Sequence, residues 1–563
     1  MKSALSEKNP SYPYLHEDKY RRYQLRNHEI NYSVYRKILD NNSPYDIAVI
    51  YDGKSVTYQE LFRYADKIAG RLWHNGLRPG DQVLAMLEGC VHTIAFLLAC
   101  SRIGVAMQCY TETTREDIIE NVIRNSDSAY FFLMEKAYKK YALSEYLDLL
   151  DGVVIVPYGY SGLDPTVDAE INKGSNIIKW DDFMSGPVDS AIEAKDGMYP
   201  LNIMNTSGST GKPKGIVHTD SSHIALAKII EDMPDPWMQG EKIYSMFPIY
   251  VATGISLSLL VPLILGVTVV ITSSSSTESF IDVLKNEKPD IVLAPKSMWL
   301  SLPASNEEID LSNLKHLITA GEPIFQAEME VLAEYLKKNG CSNIPDNGYG
   351  LSEFNSLVTM TQGKEKALFN SAGFALPHTI ISCFDVAADK ECVYGELGEI
   401  CCITPAAMSK YQLNKSATKE FFFRDEQGNR WGRTGDVGYI LESGEVVICC
   451  RQKEQFTDEN GKTIYPYEIE RIVNTFPDIT RSKVLKTTLN GTNLLAVHVT
   501  VRKDTGDIEK LFKDIYKACQ DADLPILPKA FKCRESFPIN KGGKMDMVAM
   551  SEETEGFFII DKQ

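Results

Sequence analysis

The feature that most constrains this chain is a repeated alternation of short apolar runs with longer stretches of helical periodicity. The stretch "IAVIYDGKSVTYQELFRYADKIAGRLWHNGLRPGD" opens with a strand-like run, Ile47 to Tyr51. Thr57 as N-cap and Glu60 three residues on form a capping box. Leu61, Ala65, Ile68, Ala69 and Leu72 recur at helical spacing, and Gly76 ends the helix. The same alternation returns in "QVLAML" before "HTIAFLLACSRIG", in "DIVLAP" before "SMWLSL", and in "HLITAG" before "QAEMEVLAEYLKKNG". Strands alternating with helices predict α/β layers around largely parallel sheets. After about residue 380 short strands dominate, among them "TIISCFDV", "GEICCIT" and "GEVVICC". The polar, non-periodic "RQKEQFTDENGKT" reads as a linker, and the strands and helices beyond it predict a compact α+β unit of about 110 residues.

At 563 residues the chain is too long for one simple core, so at least two domains are expected. The net charge of −17 disfavours a sequence-independent nucleic-acid binder, which needs a basic face. Twelve cysteines are scattered with no CxxC pair, and Cys401-Cys402 and Cys449-Cys450 fall in strand-like runs, so reduced core thiols are expected. The charged N-terminus has no apolar core of a signal peptide. One run, Gly254 to Ile271, is long enough to span a bilayer, but Pro262 and Gly266 interrupt it and its end is β-branched. A buried helix followed by a buried strand fits better, in a cytoplasmic protein without integral membrane association.

The sharpest chemical signal is "TSGSTGKPKG", Thr206 to Gly215. It is not a Walker A loop: only two residues separate Gly208 from Gly211, and Pro213 follows Lys212. Backbone N–H groups, hydroxyls and two ammonium groups in one turn suit a polyphosphate, although a solvated Ser/Gly/Lys loop has the same composition. The stretch through "GIVHT" resembles the phosphate-loop signature of the adenylate-forming superfamily of acyl-CoA synthetases, peptide-synthetase adenylation domains and luciferases. Further segments resemble that family's motifs in order: "ITAGEPI", "NGYGLSE", "GELGEI", "KYQLNKSATKEFF", "WGRTGDVGY", "PYEIE" and "PINKGGKMD". The resemblance implies a large N-terminal domain of α/β layers with a small β-rich subdomain over residues 1–450, a hinge at 451–453 and a mobile α+β lid over 454–563.

It also implies an ATP-dependent ligase in which a carboxylate attacks the α-phosphate and a pantetheine thiol then takes the acyl group. On that resemblance Thr206, Ser207, Gly208, Ser209, Thr210, Gly211, Lys212 and Lys214 would hold the β- and γ-phosphates. Gly321, Glu322, Asn347, Tyr349, Gly350 and Ser352 would line the nucleotide pocket, with Tyr349 offering a flat face to adenine. Glu353 would hold Mg²⁺, a hard cation that takes oxygen ligands and bridges phosphates. Asp436 would take the two ribose hydroxyls, and Arg451 would reinforce the ribose or phosphate contacts. Lys544, six residues after Pro538, would bridge the substrate carboxylate and the α-phosphate.

Tyr250, Val251, Ala252 and Gly254 in "FPIYVATGIS" would line the acyl pocket, and Gly461 would be the glycine over which the thiol arm passes. The chain departs from the family at three places. Val251 stands where many acyl- and aryl-CoA ligases have His, and no Asp stands near Ala252 to pair an α-ammonium, so a non-amino acid is expected. Thr457 falls where a lysine is common, and "DEN" reads as an insertion before Gly461. His218 and His223 have no surrounding cysteines or carboxylates, so no zinc site is expected. Coenzyme A or the phosphopantetheine of a carrier protein would accept the acyl group. The alternatives are a stand-alone adenylation enzyme loading a carrier protein and, in another class, a non-catalytic nucleotide-binding sensor or scaffold.

Overall fold

The computed structural model describes residues 7–16, 31–125, 128–141, 145–159, 162–171, 176–190, 193, 196–205, 214–305, 307–321, 324, 326–361, 371–385, 390–458, 460–502, 505–538 and 545–560. The chain divides into two compact units. The first takes Met1–Ser382, Cys401–Arg433 and Glu442–Val446, and the second takes Cys383–Ile400, Thr434–Leu441 and Val447–Gln563.

In the first unit the alternation of strands and helices builds mainly parallel sheets. One runs, edge to edge, through Lys410–Tyr411, Gly215–Thr219, Pro200–Asn205, Ala106–Cys109, Gln82–Met86, Tyr130–Met134, Gly152–Val156 and Ile177–Lys179. Its strands are parallel from Pro200–Asn205 onward, whereas Gly215–Thr219 folds back antiparallel. The other starts at Phe374–Ala375 and passes through Ser356–Met360, Asp346–Leu351, His316–Ala320, Ile291–Leu293, Lys242–Ser245 and Thr268–Ile271 to Ile47–Tyr51 and Lys54–Thr57. It is antiparallel at both ends and parallel between. Parallel strands are buried on both faces, and Val153, Val154 and Ile155, like Phe131, Phe132 and Leu133, are fully buried in succession.

The capping box at Thr57 and Glu60 forms, with both reciprocal bonds, and the helix it starts runs Tyr58–His74. The apolar run after Gly254 is a π-helical stretch, Thr253–Leu260, continued by helix Val261–Leu265 and then by strand Thr268–Ile271. Burial around its whole circumference explains its uniform hydrophobicity. Among the described residues no helix is long and apolar enough to cross a membrane. All twelve cysteines are free, and ten are buried.

The second unit contains a sheet in the order Ile479–Leu489, Thr492–Val501, Ala530–Arg534, Phe558–Ile559, with helices Pro466–Val473 and Ile508–Asp521. Ile469, Val473, Val484, Val497, Phe512, Ile515 and Phe531 form its core. The linker read from the sequence begins at the end of strand Val446–Arg451 and enters a short 3₁₀ turn, Gln452–Glu454, which holds Lys453.

Candidate active site

Strands Pro200–Asn205 and Gly215–Thr219 pair antiparallel with Asn205 opposite Gly215, so the sequence of the phosphate loop connects the ends of one hairpin. Thr206, Ser207, Gly208, Ser209, Thr210, Gly211 and Lys212 lie outside the described residues. Lys214 is the first described residue after them, and its ammonium stands 5.1 Å from the centroid of the Tyr411 ring. Tyr411 donates its hydroxyl hydrogen to Glu353 Oε1 at 2.7 Å. Burial, and then the charge of Glu353, push the Tyr411 phenol far above its ordinary range, so it stays a donor. The result is one ammonium, one phenol and one carboxylate beside the hairpin end.

Glu353 sits on the 3₁₀ turn Ser352–Phe354, just past strand Asp346–Leu351. Its carbonyl accepts the N–H of Met408 at 2.7 Å, which ties the turn to the segment leading into Tyr411. Gly350 allows the strand to pass close to Ser356: a Cβ there would lie 1.7 Å from the Ser356 carbonyl oxygen. Tyr349 and Asn347 are half-buried on the same strand. Asn347 is the register partner of Thr319 on the neighbouring strand His316–Ala320. Asn347 Oδ1 and Thr319 Oγ1 are both buried without a hydrogen-bond partner among the described residues. Such orphans are uncommon in native proteins, and an acceptor beside a hydroxyl suits a base edge carrying an amino group. Gly321 follows at φ 90 with open space around it, whereas Glu322 lies outside the described residues.

In the second unit Asp436 is buried and its Oδ1 lies 2.9 Å from Arg451 Nε. Arg451 also donates from Nη1 to the Thr434 carbonyl at 3.3 Å, and Thr434 Oγ1 accepts the Asp436 N–H at 3.0 Å. The Asp436 carboxylate is thus paired with the Arg451 guanidinium, and its backbone is tied to the Thr434 side chain. Gly461 has φ 78 and open space where a side chain would stand, and Lys544 lies outside the described residues.

Tyr250 and Gly254 line a cavity of about 420 Å³. Met86, Leu87, Tyr110, Met246, Phe247 and Leu259 share its wall, as do the carboxylates Glu88 and Glu112. The Lys136 ammonium lies 3.7 Å from Glu88 and 4.6 Å from the Tyr158 ring centroid. Ala252 is buried and Val251 half-buried. A Cβ on Gly254 would fall 1.9 Å from the Pro248 carbonyl oxygen, so only glycine permits this turn.

The AMP-binding enzyme family model matches residues 39–412. The chain belongs to the AMP-binding enzyme family. It is therefore a member of the adenylate-forming superfamily, an AMP-forming ligase that uses ATP. A long-chain-fatty-acid–CoA ligase of Bacillus subtilis is 24% identical over 543 residues, covering 92% of this chain and 93% of that protein. A 2-succinylbenzoate–CoA ligase of Bacillus licheniformis is 25% identical over 443 residues, covering 78% and 84%. The crystal structure of ATP-bound MatB from Rhodopseudomonas palustris shares the fold, with a TM-score of 0.75 at 20% identity over 92% of this chain and 98% of that one.

The residues of this AMP-binding enzyme fit the groups its family uses. Glu353 is the carboxylate bonded to Tyr411 beside the hairpin end. It would suit Mg²⁺, which keeps most of its waters and takes one or two carboxylates plus phosphate oxygens. His218 bonds to the Ser352 carbonyl, and His223 to Asn202 and Asn355. Sequence reading gave no role to Tyr411 or Thr319 individually, although both lie in quoted motif segments. Tyr411 is 58 positions from Glu353, and only the fold brings them together.

Proposed function

We propose that the chain adenylates a non-amino, largely apolar carboxylic acid with ATP and transfers the acyl group to the thiol of coenzyme A. In the first step a carboxylate oxygen attacks the α-phosphorus and pyrophosphate leaves. In the second the thiol sulfur attacks the acyl carbon, losing its proton, and AMP leaves. The observation that carries the reading is the grouping of Lys214, Tyr411 and Glu353 at the end of the phosphate-loop hairpin. An anion must approach a polyanion there, and fixed cations and donors oppose that repulsion. Mg²⁺, held by Glu353, would neutralise phosphate charge. Thr206, Ser207, Ser209, Thr210 and Lys212 would grip the β- and γ-phosphates, Tyr349 and Asn347 the base, and Asp436 the ribose.

The acyl side supports the substrate class. No carboxylate stands at Val251 or Ala252, and Met246, Phe247, Ile249 and Leu259 give the wall near Gly254 an apolar part, with Glu88, Glu112 and Lys136 elsewhere on the same cavity. Residues 1–450 would form the catalytic body and 454–563 a lid turning about Lys453, which sits in a short 3₁₀ turn just past the end of strand Val446–Arg451. The coenzyme A acceptor is supported by the names of the relatives, both CoA ligases. Loading of a carrier protein is the second acceptor reading, and a non-catalytic nucleotide sensor is the third.

Pyrophosphate release over a panel of carboxylic acids tests the reading, followed by addition of coenzyme A or a carrier protein. Lys544→Ala should lower adenylation about 10²–10³-fold with ATP binding little changed. Absence of acid-dependent release from every acid would leave the sensor reading, and a clear preference for α-amino acids would overturn the substrate class.

A further inference from the structure

Behind the Glu353 turn runs a buried chain of polar side chains that the reaction itself does not use. Ser256, on the π-helical stretch, donates to Asn355 Oδ1 at 2.6 Å. Asn355 Nδ2 lies 3.2 Å from His223 Nδ1, and His223 Nε2 lies 2.7 Å from Asn202 Oδ1. Ser256, Asn355, His223 and Asn202 each have no solvent exposure. With both amides placed this way round, Asn202 Oδ1 accepts from His223 Nε2–H, Nδ1 accepts from the Asn355 amide, and the Asn355 oxygen takes the Ser256 hydroxyl, while Asn202 Nδ2 is buried without a partner among the described residues.

The turn being held is strained. Asn355 has φ 65 and Ser356 φ 129, two successive non-glycine residues in a region that side chains avoid. Such a backbone persists only where its surroundings over-determine it, and it clusters at functional sites. Here the constraints come from three directions. His218 Nε2 lies 2.7 Å from the Ser352 carbonyl, His223 reaches Asn355, and Thr253 Oγ1 lies 3.2 Å from Ser356 Oγ. Burial pushes the His223 imidazole well below its ordinary pKa, with a further push from His218, so it remains neutral.

The geometry points to His223 and Asn355 as positioning residues that lock the Glu353 turn and couple it, through Ser256, to the acyl-binding segment and, through Asn202, to the strand entering the phosphate loop. The acid and the phosphates are thereby set in one register, through residues that touch neither. The inference rests on the role given above to Glu353.

The test uses the full chain. Asparagine at 223 can replace the Nδ1 side of the ring, glutamine the Nε2 side, and leucine neither. His223→Leu and His223→Gln should lower kcat for adenylation about 10–100-fold, as outer-shell changes do, and His223→Asn should recover most of it. KM for ATP should stay within about twofold in all three. Equal kcat in every variant, or equal falls that track lost thermal stability, would overturn the proposal. Ser256→Ala, a milder change, should blur discrimination among acids with KM for ATP unchanged, and an unaltered acid preference overturns the coupling even if the leucine variant does not fold. Independently of activity, ¹⁵N-histidine NMR of the wild type should show an Nε2–H imidazole that does not titrate from about pH 8 to about pH 5. An Nδ1–H tautomer would overturn the assignment of the chain's direction. Wild type without acid-dependent pyrophosphate release would instead sink the functional reading and leave the NMR result standing.

Discussion

The turn that carries Glu353 and the linker end of the second unit are both fixed by polar side chains, but by opposite means. The turn is held by neutral hydrogen bonds from fully buried histidines, His218 to the half-buried Ser352 and His223 to the buried Asn355. The linker end is held by ions. Lys483 lies 3.0 Å from Glu470 and 3.7 Å from Glu454, the last residue of the 3₁₀ turn, while Arg451 pairs with Asp436. Neutral networks lock one geometry, because any other arrangement strands a buried donor or acceptor. Ions can trade partners within a cluster, as Lys483 stands between Glu470 and Glu454, although a partly buried charge left with none is costly. The contrast matches a carboxylate proposed to hold Mg²⁺ in one place and a linker proposed to turn.

Removing a charge from the ionic region should have the largest effect. Burial alone would lower the Lys483 pKa, but Glu470 and Glu454 more than offset it and the group stays charged. Lys483→Met leaves two carboxylates facing each other in a partly buried site and should cost about 4 kcal/mol, read by urea unfolding of the second unit. Loss of less than a quarter of that would show that the ions are not holding the linker end.

Acid should act on the neutral region next. Burial lowers the His218 pKa to about 4, below the value of about 6.5 expected in the unfolded chain. The unfolded state therefore binds more protons between those values. The stability contribution is full above about pH 6.5 and is lost as pH falls toward 4, a change of about 3 kcal/mol. His218→Gln should flatten that slope in pH-dependent thermal melts, and a slope unchanged by the substitution would mean that His218 is not the neutral group assigned here.

Salt gives the smallest separation. Raising ionic strength from about 0.05 M to about 0.5 M should weaken the linker region by about 0.5 kcal/mol and leave the buried hydrogen bonds unaffected. Hydrogen exchange of Arg451–Glu454 amides against those of Ser352–Ser356 reads both at once; equal responses would erase the distinction.

Local features were legible in the sequence. The Thr57–Glu60 capping box and the helix it starts need only neighbours in the chain, and the alternation of strands and helices already implied the parallel sheets. The run after Gly254 was readable as helix then strand, but not as π-helical, because uniform hydrophobicity carries no phase. His223 and Asn355 stand 132 positions apart, and each alone is an ordinary polar residue. Their meaning comes from a shared burial that periodicity cannot express. Asp436 and Glu353 were singled out only because motif context marked them; their partners Arg451 and Tyr411, which lie elsewhere in the chain, show how each carboxylate is held.

The π-helical stretch Thr253–Leu260 has a consequence for how such a chain can diverge. Its wider register, visible where the Val261 N–H reaches the Ser256 carbonyl, amounts to one surplus residue in an α-helix. Deleting a single codon within it would remove that surplus residue and let the segment close to α geometry, with the turns on either side kept nearly in phase. Strands Lys242–Ser245 and Thr268–Ile271 would keep their places in the sheet, and the change would be confined to the stretch that follows Tyr250. Descendants of this gene could thus lose one amino acid here and reshape a single wall, with no substitution in the nucleotide machinery.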